Sequence, residues 1–184
     1  MVLNSASGRR RILVLVAAIF VLAGCGSRNK NEGPPCPDLN VLADAAKFTQ
    51  FRPGEGHDIT DIVLQGEITG YHGTCAYNKD KGLLTMTLQV QMVFSRGPAA
   101  QTRDVSTGYF IAVPSFYQKP EAKRVMPVKF TFANAADHIR ITDNEVDVIL
   151  PAKDLEKSID KLGVYIGFQL DQSELEYNRR AKTQ

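Results

Sequence analysis

The chain of 184 residues contains no tryptophan, only three histidines and only three cysteines. Lacking tryptophan, it has no candidate for the buried indole that marks many immunoglobulin-type sandwiches. His57, His72 and His138 stand singly in separate segments, and His57 with Asp58 and Asp61 is the densest local group. No H-E-x-x-H or C-x-x-C spacing gathers ligands onto one turn, so a metal site has no sequence support. G-x-S-x-G is missing, Ser-x-x-Lys falls only in non-matching places, and no glycine-rich loop opens a helix after a strand. Hydrolase and nucleotide-binding signatures are therefore absent. Paired carboxylates such as Asp58/Asp61 and Asp143/Glu145 are ordinary surface chemistry and predict no mechanism. The reading is of a non-enzyme with no catalytic residue, cofactor or metal. No basic run of five or more follows residue 35, which removes the usual electrostatic footprint of nucleic-acid binding. No repeat recurs at a fixed period. The longest apolar run, Ile12 to Ala23, has twelve residues, short of the roughly 20 that a spanning helix needs.

That short run has a particular setting. Arg9, Arg10 and Arg11 precede it, and it closes on Leu22-Ala23-Gly24-Cys25. A positive segment, an apolar core and small residues in this order form a targeting signal. The tetrapeptide resembles the lipobox of bacterial lipoproteins, and the resemblance covers residues 9–26. It implies cleavage before Cys25, a diacylglycerol on the Cys25 thiol and further acylation (palmitate among the chains) on its freed amine. One acyl chain binds a bilayer only marginally, whereas two or three make attachment effectively permanent. Gly26 rather than Asp after the cysteine implies sorting to the outer membrane, on its periplasmic face. Residues 26–35, GSRNKNEGPP, bear no large apolar group and read as a flexible tether spanning on the order of 15–20 Å. The expected organisation is a signal peptide at 1–24, lipidated cysteine and tether at 25–35, and one domain at 36–184. Removing three arginines and no acid from 22 basic and 20 acidic residues leaves a mature charge of about −1.

With Cys25 assigned to lipid, Cys36 and Cys75 remain. An exported pair enters an oxidising compartment, where bridges form and persist, and a disulfide between them is expected. Free thiols are the alternative, and a redox or metal pair lacks the spacing.

Period-2 alternation governs the rest. Leu84, Met86, Leu88, Val90, Met92 and Phe94 share one face of a long strand whose other face is mostly polar. Residues 61–71 point Ile62, Leu64 and Ile68 inward, with Gly66 and Gly70 where bulges sit. Asn78-Lys79-Asp80-Lys81-Gly82 reads as a hairpin loop. Further strands are expected at 40–43, 105–113, 124–132, 138–142, 146–150 and 162–170. Pro127 marks an edge, and Asn144 a turn or bulge. Helical pieces are expected at 152–161 and 172–179, the second opened by a capping box of Asp171 and Glu174. Seven or eight strands predict a mainly β, antiparallel β-sandwich of immunoglobulin or fibronectin type with a short C-terminal helix. A small β-barrel is the alternative.

Met86 and Met92 share their face with Leu88 and Val90 and are read as core rather than as thioether ligands. Phe116 and Tyr117, in the loop Pro114 to Pro120, are candidate partner contacts because exposed aromatics are enriched at interfaces. The competing reading folds Phe116 back over the sandwich edge. Tyr177-Asn178-Arg179-Arg180 reads as a helix end or a docking tail. The mature part is loosely similar to small envelope lipoproteins with a sandwich body, which implies no activity. The expected role is a membrane-anchored binding or scaffolding module, accessory to an envelope assembly or transport complex, with a periplasmic ligand or metal carrier as the alternative.

Overall fold

A computed structural model describes residues 33–54, 57–116, 119, 122–153 and 163–181. Its strands form two sheets facing one core, a β-sandwich. The first sheet contains β1 (Asp38–Val41), β5 (Asp104–Ala112), β6 (Lys123–Thr131) and β9 (Gly163–Phe168), in the order β1-β9-β5-β6. The second contains β2 (Lys47–Phe51), β3 (Ile62–Asn78), β4 (Leu83–Arg96), β7 (His138–Thr142) and β8 (Val146–Pro151). The sheets remain separate, so the barrel alternative falls away.

Strand β4 is the spine. Its alternating residues Leu84, Met86, Leu88, Val90, Met92 and Phe94 are all at most 2% exposed. Facing them across the core are Tyr109, Ile111, Val113, Val164, Ile166 and Phe168, also within 3%. Phe48, Phe94 and Phe168 meet edge-on or tilted, with centroids 4.8–6.4 Å apart, the arrangement that aromatic quadrupoles favour. Strand β3 bulges between Ile68 and Gly70. At Gly66 the Phe48 ring lies so close that a Cβ has no room, so the ring covers a glycine that has no side chain of its own to pack.

Nine strand segments are present among the described residues, against the seven or eight expected. The addition is β2, whose residues do not alternate: both Phe48 and Thr49 are buried. Phe48 faces the core, while the helix α1 (Gln172–Ala181) packs on the strand. The separate strands expected at 138–142 and 146–150 are β7 and β8, which pair with opposite halves of β4, Gln91–Ser95 and Leu83–Leu88. Residues 143–145 break one strand position into two, at the place Asn144 marks. A further correction concerns direction, since β1 runs parallel to β9. Pro127 lies on edge strand β6, opposite Gly108, where its missing N–H disrupts no ladder. Of the helix expected at 152–161, residues 154–161 lie outside the described residues.

The expected Cys36–Cys75 disulfide is present, with Cα atoms 5.7 Å apart. Beyond β2, distal β3 pairs only with β4. The bridge therefore ties the chain entering β1, at one margin of the first sheet, to a margin of the second.

Candidate functional site

Most polar groups that could carry chemistry hold the fold together. Tyr109 is fully buried on the inner face of β5, and its hydroxyl donates to Asp143 Oδ2 at 2.8 Å. Asp143 sits in the β7–β8 break, so this bond crosses the core from one sheet to the interruption in the other. Burial raises the Tyr109 pKa, and the Asp143 carboxylate, by hydrogen bond and by charge, raises it further. Asp61 is 4% exposed. Its Oδ2 accepts from the Asp58 N–H at 3.2 Å, while its Oδ1 lies 2.5 Å from Arg52 Nη2 without hydrogen-bond alignment. Arg96 donates to the carbonyls of Ala100 and Thr102, and Arg103 to those of Phe132, Ala133 and Ala136. These two side chains fasten the loops at the end of the sandwich remote from the β3–β4 hairpin.

The histidines stay apart. His57 meets the Phe51 ring at a tilt with centroids 4.8 Å apart, His72 is exposed on β3, and His138 Nδ1 is 2.8 Å from Ser95 Oγ. Among the described residues no three His, Cys, Asp or Glu converge as metal ligands. Met86 and Met92 are core residues at 1% and 0% exposure. Phe116 is buried as well, at 5%, within the main core cluster. It ends a 3-10 turn whose backbone bond from Phe116 N to Val113 O folds the ring inward, so Phe116 is a core residue rather than an exposed contact. Its neighbour Tyr117, like the lipidation residue Cys25, lies outside the described residues.

The capping box is present: Asp171 Oδ1 accepts from the Glu174 N–H at 2.8 Å, and Glu174 Oε2 from the Asp171 N–H at 2.9 Å. The Glu174 N–H lowers the Asp171 pKa, whereas burial raises that of Glu174. Asn178 donates to the carbonyls of Asp44 and Lys47, Arg179 pairs with Asp44, and Tyr177 meets Phe51 edge-on. Tyr177, Asn178 and Arg179 thus dock the helix on its own domain.

One open cleft, of about 350 Å³, lies between β5, β6 and β8. Ile111, Val113, Phe116 and Val148 supply apolar lining, with Lys123, Arg124 and Asp147 around them. The register pairs Arg124 with Ile111, which puts an arginine at an inward position. It donates to the Asp147 carbonyl at 3.1 Å, and the Asp147 carboxylate accepts from Thr87 at 2.6 Å. Sequence reasoning missed this cleft and the Tyr109–Asp143 bond, because each joins residues more than twenty positions apart that carry no shared local pattern. A second cleft, of about 360 Å³, lies near the opposite end between β2, β5 and residues 96–102. Pockets of a few hundred Å³ with apolar lining and few polar groups suit small ligands. Comparisons with protein-family models, curated proteins and solved structures find no match.

Proposed function

We propose that the chain is the precursor of a bacterial lipoprotein, anchored by acyl chains on Cys25. Its β-sandwich serves as a non-catalytic binding or scaffolding module at the periplasmic face of the outer membrane, accessory to an envelope assembly or transport complex. The observation that carries this reading is the ordered run from Arg9 through the apolar core to Leu22-Ala23-Gly24-Cys25. The Cys36–Cys75 bridge supports export, since such bridges persist in oxidising compartments. The engagement of Tyr109, Asp61, Arg96 and Arg103 in fold-holding contacts supports a role without chemistry.

The test is palmitate labelling of the expressed full chain and of Cys25→Ser, followed by fractionation with a carbonate wash. The parent takes up label and sediments with membranes, while the variant does neither. An unlabelled parent, or a variant that still sediments after the wash, overturns the anchor. Cross-linking in whole cells then identifies the envelope partner. A ligand carrier is the second reading, favoured by the apolar cleft beside Phe116. Under it, an apolar fluorescent probe binds the domain and Val148→Trp blocks that binding.

A further inference from the structure

The first described residues lie along the inner face of distal β3. Gly33 sits against the Tyr77 ring with no room for a Cβ, Cys36 is bonded to Cys75, and Leu39 contacts the Gly73 position. Only then does the chain join the first sheet, as β1. The domain thus begins beside the tip of the β3–β4 hairpin. Tyr77 is 38% exposed there. The tip beyond it, Asn78 to Gly82, is shaped by the Lys81 N–H bonding Asn78 Oδ1 at 2.9 Å and by Gly82 at φ 60°, a left-handed conformation that glycine adopts without strain.

We infer that this hairpin tip, with Tyr77, Lys79 and Lys81, is the membrane-facing pole of the domain and rests among the phosphates of anionic phospholipid headgroups. The inference rests on acylation at Cys25. Seven residues, and so eight Cα–Cα steps, separate Cys25 from Gly33. Fully extended they reach at most about 29 Å, and as a coil about 15 Å. Strand β4 has 14 residues and carries the opposite pole about 45 Å from the tip. A chain anchored at Cys25 therefore keeps the tip near the bilayer, while the far loops approach it only if the domain lies flat.

Charge and side-chain type favour the upright arrangement. Lys79 and Lys81 outnumber Asp80 at the tip, and Arg28 and Lys30 outnumber Glu32 in the tether. At the far pole Arg96 and Arg103 are offset by Asp104 and Asp137. Basic side chains next to a lipid anchor are drawn to an anionic surface, and tyrosine is enriched at the headgroup level.

The absence of tryptophan provides the test. Asp80→Trp at the tip and Asn134→Trp at the far pole each create a sole indole at an exposed position. Each lipidated full-length variant is reconstituted into phosphatidylethanolamine–phosphatidylglycerol vesicles containing a headgroup nitroxide lipid, and vesicle flotation is measured in parallel. The expected result is at least twofold stronger quenching for Asp80→Trp than for Asn134→Trp, with the difference roughly halved by Lys79→Glu/Lys81→Glu. Equal quenching at the two sites, or none at either, in protein that floats overturns the orientation and leaves the anchor standing. Quenching unaffected by the lysine substitutions overturns the headgroup contact. A chain that carries no palmitate and does not float overturns the anchor and this orientation together.

Discussion

Removing the Cys36–Cys75 bridge is the sharpest perturbation available. The bridge closes a loop with a sequence separation of 39. In the chain-entropy treatment a loop of that length restricts the unfolded chain by about 13 cal/mol/K, or roughly 4 kcal/mol at 25 °C. Domain stabilities run about 5–15 kcal/mol, so this is a large fraction of the whole. For a domain of about 150 residues each kcal/mol shifts the melting temperature by about 2–4 °C, which gives an expected fall of roughly 8–16 °C for Cys36→Ser/Cys75→Ser. The loss also has a location. Strand β1 has four residues and one partner strand, and distal β3 pairs only with β4. Amide exchange in the double variant should therefore accelerate first at 38–41 and 71–77, while β4 from Val90 to Phe94 keeps its protection. Differential scanning calorimetry and hydrogen exchange on the 26–184 fragment make both measurements. A melting point within about 3 °C of the parent, with unchanged exchange at 38–41, would refute the reasoning.

Other perturbations follow from the same core. Tyr109→Phe removes the bond to Asp143 and should cost about 1.5–3 kcal/mol in urea unfolding, the range for a hydrogen bond to a charged group. Because the folded state raises the Tyr109 pKa above its ordinary 10.0, its contribution is complete below about pH 10 and fades as pH rises beyond it; the phenylalanine variant should lose that alkaline component. Met86→Lys places an unpaired charge at a 1% exposed position, costing several kcal/mol, and circular dichroism should find no cooperative melt. Asp171→Ala removes the helix cap at about 1 kcal/mol. Since the Asp171 pKa is lowered, that contribution is present above the ordinary carboxyl value of 3.8 and fades as pH falls through the folded one. His57→Ala, His72→Ala and His138→Ala should each shift stability by no more than about 0.5 kcal/mol, and added zinc should not raise the melting point. A zinc-dependent rise abolished by one of these substitutions would restore the metal-carrier reading.

The features legible in the chain alone are those written in neighbouring residues. Alternation from Leu84 to Phe94 announced a strand with one buried face, because side-chain direction in a strand has period two whatever its partners are. Asp171 with Glu174, Pro127 and Asn144 likewise marked a helix start, an edge and a strand break through local backbone chemistry. The Cys36–Cys75 pairing was expected once Cys25 was set aside, since two cysteines then remain. Tertiary structure decided what depends on distant neighbours. Lys47–Phe51 has no clean alternation because the core takes Phe48 while a helix more than 120 residues later packs on the strand. The parallel β1–β9 pairing leaves no sequence signal, since a ladder is made of backbone bonds that any residue but proline can supply. Phe116 could be read as a solvent-facing contact or as a residue folded back over the sandwich edge, and a single 3-10 turn puts it in the core. The Tyr109–Asp143 bond, and the inward Arg124 beside the open cleft, arise where two sheets meet. Periodicity specifies which face of a strand is buried, and only packing specifies what that face will touch.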